Sequence, residues 1–167
     1  MDNTTKTSDP KALSIVVFSG DLDKALAAFF ISTAAASMGY RVTLFFTFWG
    51  LNVIRKNGGP ASGAKHWMQK ALNLFNGRDA KKLALSQLNF CGMGPVMMGE
   101  LMKQKKVPSL PEFIQMAHQM GIKMYPCETS MELMGVTQAD LIPEIQPVVG
   151  AVTYIDLAKD GKINLFI

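Results

Sequence analysis

Apolar positions along the chain follow two different periods. Residues 13–18, LSIVVF, form a short run rich in β-branched side chains that stops at Ser19, Gly20 and Asp21. Such a run predicts a buried parallel strand leading into a tight loop. Leu22, Ala25, Leu26, Phe29, Phe30 and Thr33 then recur at helical spacing, and Gly39 closes the pattern. Asp21 is placed to cap this helix, and Asp23 in its first turn suits the helix dipole. Residues 42–46, VTLFF, predict a second buried strand. Strand, helix and strand make a βαβ unit, a crossover that is almost always right-handed.

The middle of the chain changes character. Residues 55–63, RKNGGPASG, have a loop composition. Ala64, Trp67, Met68, Ala71, Leu72 and Phe75 form an amphipathic helical stripe, and residues 80–88 suggest a further short helix. CGMGP at 91–95 breaks the chain, 96–105 resumes a helix, and Pro108 and Pro111 punctuate before another at 112–120. Residues 47–121 therefore read as a helical insertion between strands two and three.

Gly121 ends that insertion. IKMYP at 122–126 predicts the third strand, with Cys127 at its carboxyl end. A short helix at 130–134, a longer one from about 145 to 159, and a last strand, INLFI, at 163–167 complete the pattern. The fold class is α/β: a small doubly wound, mainly parallel sheet of about four to five strands, with helices on both faces. Residues 1–12 are expected to be a flexible tail and 13–167 a single domain.

Composition narrows the function classes. The chain has 167 residues, 49% hydrophobic and 18% charged, enough apolar content for a real core. Net charge is +4. The lysines at 81, 82, 103, 105 and 106 lack aromatic interleaving, so no nucleic-acid partner is expected. The charge-free stretch 25–40 reaches only about 24 Å as a helix, short of the roughly 30 Å hydrocarbon core; membrane contact is at most peripheral. The polar start lacks an apolar signal region, so a cytoplasmic chain with reduced thiols is expected. Two cysteines and two histidines, His66 and His118, show no metal-ligand spacing, so no metal is expected.

In open α/β sheets, ligand sites lie beyond the carboxyl ends of the strands. Three loops qualify, at 19–24, 47–51 and 126–130. Cys127 has two readings. Free cysteine is among the most buried residue types; yet this one stands after a strand and before a helix, where the N–H groups of 128–130 favour thiolate. Thr129 and Ser130 offer hydroxyl donors, while Glu128 opposes ionisation unless it points away. Position favours a reactive Cys127. Cys91, in a Gly-rich break, is either a second, resolving thiol or an incidental loop residue. Ser19, Gly20, Asp21 and Lys24 lack the P-loop pattern, and no G-x-G-x-x-G follows the first strand. Ser19 and Lys24 can hold an anion at the helix start, although capping by Asp21 is the plainer explanation. Phe48 and Trp49, just past strand two, line a pocket, form an interface or belong to the core. Nine of the 12 methionines lie between 93 and 134, suiting either a surface that repacks or an irregular core.

The stretches SGDLDK, FFTFWG, GMGPVMMGELMKQKKVPSLPEFIQMA and CETSMELMG, with the closing AVTYIDLAKDGKINLFI, together resemble the DsrE/DsrF/DsrH-like family, most closely its larger DsrE-like branch. The resemblance covers nearly everything after residue 12. It implies a small doubly wound α/β fold assembled into homo-oligomers. It also implies sulfur traffic, in which a cysteine takes up sulfane sulfur as a persulfide and hands it to a partner protein. The family cysteine at the end of the third strand falls on Cys127; no role carries over to Cys91. The expectation is thus a sulfur carrier or sulfurtransferase using Cys127 without a cofactor. The alternative is a non-catalytic oligomeric binding or scaffold module in which Cys127 lines a small-ligand pocket. A two-cysteine redox protein is the third reading.

Overall fold

The structure, a computed structural model, describes residues 11–76 and 78–167. Four strands, β1 (Ala12–Val17), β2 (Arg41–Phe46), β3 (Lys123–Pro126) and β4 (Ile163–Phe166), form one parallel sheet in the order β3-β2-β1-β4. All four fall where the apolar runs placed them. The tail expected over 1–12 falls mainly outside the described residues, and Ala12 already belongs to β1.

Strand alternation divides the sheet into two faces. Ile15, Leu44 and Met124 stand in one transverse row, and each is fully buried. At about 1.5–3 kcal/mol for each such side chain, rows like this one supply much of the driving force for folding. Helix α1 (Leu22–Ser37) buries Ala25, Ala28 and Phe29 in the same core, and α4 (Leu110–Gln119) adds Phe113, Ile114 and Ala117 beside it. The next row, Tyr125, Phe45, Val16 and Phe166, points to the opposite face. There α6 (Ala151–Ala158) lays Tyr154 flat against Phe45, with centroids 4.4 Å apart and planes 8° apart.

Between β2 and β3 lies the expected insertion: a 3-10 segment (Phe48–Ile54), α2 (Trp67–Asn76), a 3-10 turn (Phe90–Gly92), α3 (Met93–Gln104) and α4. Helix α5 (Glu128–Met134) follows β3 directly. The methionines divide between both readings: Met124, Met131 and Met134 are buried, whereas Met93 and Met97 are exposed.

Three expectations need correction. Residues 80–88 form no helix; they run as turns and coil across the start of α1, where Ala84 O accepts the Leu22 N–H and Asp23 accepts the Ser86 N–H. The helix expected over 145–159 begins only at Ala151. Pro147 lacks an N–H and disfavours helical geometry before it. Residues 146–149 instead run along the outer edge of β3: Gln146 N donates to Met124 O (2.8 Å), Val149 N to Pro126 O (3.1 Å) and Glu128 N to Val149 O (3.0 Å). Finally, α2 forms, but Trp67, Met68 and Leu72 of its apolar stripe are exposed. Trp67 is 77% exposed, while the polar Asn73 is buried and donates to Met134 O.

Candidate functional site

Cys127 occupies the N-cap position of α5, in extended conformation. Two neighbours on opposite sides fix its backbone. Its N–H donates to Phe46 O at the end of β2 (2.9 Å), and it forms a parallel bridge with Val149 on the edge segment. Its own carbonyl accepts the Met131 N–H, closing the first turn of α5. Alternation carries the side chain to the α6 side of the sheet, because Cys127 lies two residues beyond Tyr125. There it packs in a small cluster with Phe45 and Tyr154, surrounded by Val16, Tyr125, Val149 and Ala158.

Cys127 is only 5% exposed. A cysteine this covered reaches another molecule's sulfur only if a neighbour moves aside. A cavity of about 410 Å³ between α6 and β4 is lined by Val16, Tyr154, Ala158 and Phe166, three of which belong to the packing around Cys127. A second, of about 420 Å³, lies outside α5 and touches Glu128, Met131, Val148, His66 and Gln69.

The amides at the start of α5 are partly committed. Glu128 N–H goes to Val149 O, so it does not serve the sulfur as the sequence suggested. Among the described residues, no backbone carbonyl takes the N–H of Thr129 or Ser130, as the first turn of a helix requires. The Ser130 hydroxyl is buried and shares a 2.7 Å hydrogen bond with the Thr47 hydroxyl. Glu128 is exposed, as its opposing charge demands.

The three loops adjoin one another. Thr47 N donates to Val17 O (3.0 Å) and Gly50 N to Phe18 O (2.8 Å), while Thr47 reaches Ser130. Gly50 permits this closeness, since a Cβ there would stand 2.0 Å from Val17 O; one on Gly20 would stand 2.6 Å from Trp49 O. Asp21 makes no side-chain cap, contrary to expectation. Its carboxylate takes the Ser19 hydroxyl (2.9 Å) and the Lys24 ammonium (3.0 Å), so Ser19, Asp21 and Lys24 satisfy one another. None of them packs around Cys127. Trp49 packs on the main core; Phe48 is partly exposed, takes a left-handed φ of 47° and rests on Phe18 at 5.4 Å. Strand order reverses between β1 and β4, where Phe18 meets Phe166 at 5.6 Å. Cys127 ends β3, on the far side of that crevice. Cys91 lies in the Phe90–Gly92 turn, and the expectation placed on its thiol falls outside the described residues.

Sequence reasoning did not single out Phe45, Tyr154, Val149 or Thr47. Phe45 and Val16 were recoverable from alternation alone. Tyr154 was not, because its partners are remote: its hydroxyl donates to Ser14 Oγ (3.2 Å), and Ser14 in turn donates to Asn164. A polar chain thus ties α6, β1 and β4 on this face. Among the described residues, no helix is long and apolar enough to cross a membrane, and no group of three or more His, Cys, Asp or Glu is arranged to hold a metal.

Comparison with known proteins agrees with this architecture. Residues 9–166 match the model of the DsrE/DsrF/DrsH-like family. The chain is 40% identical over 161 residues to "Uncharacterized protein YrkE" of Bacillus subtilis (strain 168), covering 96% of this chain and 99% of that one. It is 29% identical over 167 residues to "Sulfur carrier protein DsrE2" of Allochromatium vinosum, covering 95% and 99% respectively. With a four-stranded parallel sheet in the described fold and a family match spanning nearly the whole chain, this protein belongs to the DsrE/DsrF/DrsH-like family.

Proposed function

We propose that the protein is a sulfur carrier in a sulfur relay and that Cys127 is the carrying residue. Membership of the family and full-length similarity to a sulfur carrier support the relay role. The observation that bears most on the residue is the setting of Cys127: the N-cap of α5, beside the uncommitted N–H groups of Thr129 and Ser130. Free amide donors at a helix start can hydrogen-bond a sulfur transferred there.

In the proposed transfer, the Cys127 thiolate attacks the outer sulfur of a donor persulfide. The new bond joins Cys127 Sγ to that sulfur, the donor's S–S bond breaks, and the donor leaves as a thiolate. The proton on the outer sulfur travels with it, giving Cys127-S-SH. An acceptor thiolate then takes the same sulfur, restoring Cys127 thiolate, with no net oxidation. The donor is a protein persulfide and the acceptor a protein thiol, and access requires α6 or the 146–149 segment to yield. The unit is a homo-oligomer: Val152, Ile155 and Phe166 are 86%, 65% and 70% exposed on the face covered by α6, a surface suited to another copy.

The burial of Cys127 among Phe45, Tyr154 and Val149 favours a second reading, a non-catalytic binding module in which the thiol is packing. Mass spectrometry after incubation with a persulfide donor separates the two. The wild-type protein is expected to gain one sulfur atom and Cys127→Ser to gain none. An equal gain in both proteins removes Cys127 from the mechanism.

A further inference from the structure

Away from Cys127, the insertion buries a cation. Arg55 follows the 3-10 segment after β2 and is 2% exposed. Its Nη1 donates to Asn73 Oδ1 (3.2 Å) and its Nη2 to Gly59 O (2.8 Å), both neutral acceptors. Its Nε–H is buried and has no hydrogen-bond partner among the described residues. No carboxylate forms an ion pair with it there. The two nearest in effect are occupied: Asp79 accepts the N–H groups of Gly58 and Lys81 (2.9 Å each), and Asp140 those of Thr137 (2.8 Å) and Ser62 (3.1 Å). Burial pushes the Arg55 pKa down, and Asp140 and Asp79 pull it part of the way back. An arginine stays charged regardless, so the burial cost stands unless an anion arrives.

There is room for one. Arg55 borders a cavity of about 260 Å³ together with Lys56, Lys81, Asp79, Glu144 and Gln115. Three cations face two carboxylates there, and Asp79 is already engaged by two amides. This volume lies below the roughly 300–1,000 Å³ typical of drug-sized ligands, so it suits a group of a few heavy atoms. Guanidinium N–H groups pair well with phosphate-like oxygens.

We propose that this cavity binds a small, doubly charged oxyanion of the phosphate or sulfate class, held by the Arg55 guanidinium with Lys56 and Lys81 at its rim. The site is independent of the Cys127 reading. It is tested on the full chain by following the arginine Nε–H signals by NMR during titration with inorganic phosphate, sulfate or thiosulfate, against chloride at matched ionic strength. Arg55→Lys assigns the signal. A saturable shift of the Arg55 Nε–H with at least one of the three, absent with chloride, is expected, and the tightest identifies the preferred ion. Gln115→Glu and Lys81→Gln, both exposed positions, keep Arg55 in place and are each expected to weaken binding about five- to ten-fold. Cys127→Ser should bind as the wild type does. An Nε–H signal that does not move, moves equally with chloride, or saturates at the same concentration in both rim variants overturns the site; an internal water would then be the partner of Arg55.

Discussion

Cys127 and Tyr154 show how much of this protein rests on single side chains. Tyr154 both stacks on Phe45 and donates to Ser14. Tyr154→Phe keeps the stack and loses the hydrogen bond, so chemical denaturation should show a loss of about 0.5–1.5 kcal/mol. The same variant should leave alkylation of Cys127 slow. Asp140 gives the fold a sensitivity to acid. Burial would raise the Asp140 pKa, but hydrogen bonds from the N–H and hydroxyl groups of Thr137 and Ser62 outweigh it and hold the carboxyl below its ordinary value. A carboxylate whose folded pKa is depressed stabilises the fold above its unfolded pKa. That contribution disappears as pH falls through the folded value. Asp140→Asn should therefore destabilise the protein at neutral pH by about 1–2 kcal/mol, because a neutral amide accepts these hydrogen bonds less strongly than a carboxylate. It should matter less below the ordinary carboxylate range, as melts across pH will show. Positions such as Cys127 were legible because a cysteine closing an apolar run before a helix is a local signal. Arg55 was not, because the charge of a buried arginine matters only through what the fold places around it.

At the scale of elements, the segment 146–149 is the least expected part of the architecture. It turns the outer edge of β3 from an open ladder into a paired one, and it covers Cys127 through Val149. Val149→Pro removes the N–H that reaches Pro126 O, which should destabilise the fold by about 1–3 kcal/mol. If this segment guards the thiol, iodoacetamide should also modify Cys127 faster in that variant; an unchanged rate would assign the barrier to α6 alone. The strands were readable because period two and β-branched content are local properties. Residues 80–88 and 145–150 misled because their apolar side chains serve remote partners. Leu83 and Ala84 are buried beside the start of α1, and Val149 pairs with a strand more than twenty positions earlier.

On the scale of the whole molecule, the two sheet faces are unequally covered. One carries α1 and α4 over a large core; the other carries α6 over a small cluster. Apolar side chains left outside on that face predict self-association. Val152→Glu combined with Ile155→Glu should lower the mass measured by analytical ultracentrifugation, with circular dichroism unchanged. A wild-type monomer at tens of micromolar would end that reading. Such a surface would also bring the 410 Å³ cavity between α6 and β4 under a neighbouring copy.

Local pattern alone decided the four strands, the parallel α/β class and the place of Cys127 at the end of β3, because strand period and the strand-to-helix junction are written in consecutive residues. Only the folded chain decided that Cys127 lies beneath α6, that 146–149 is an edge rather than a helix, and that Arg55 stands buried beside a cavity. Those outcomes depend on contacts between distant segments, and a linear pattern carries period but not the identity of the partner across the fold.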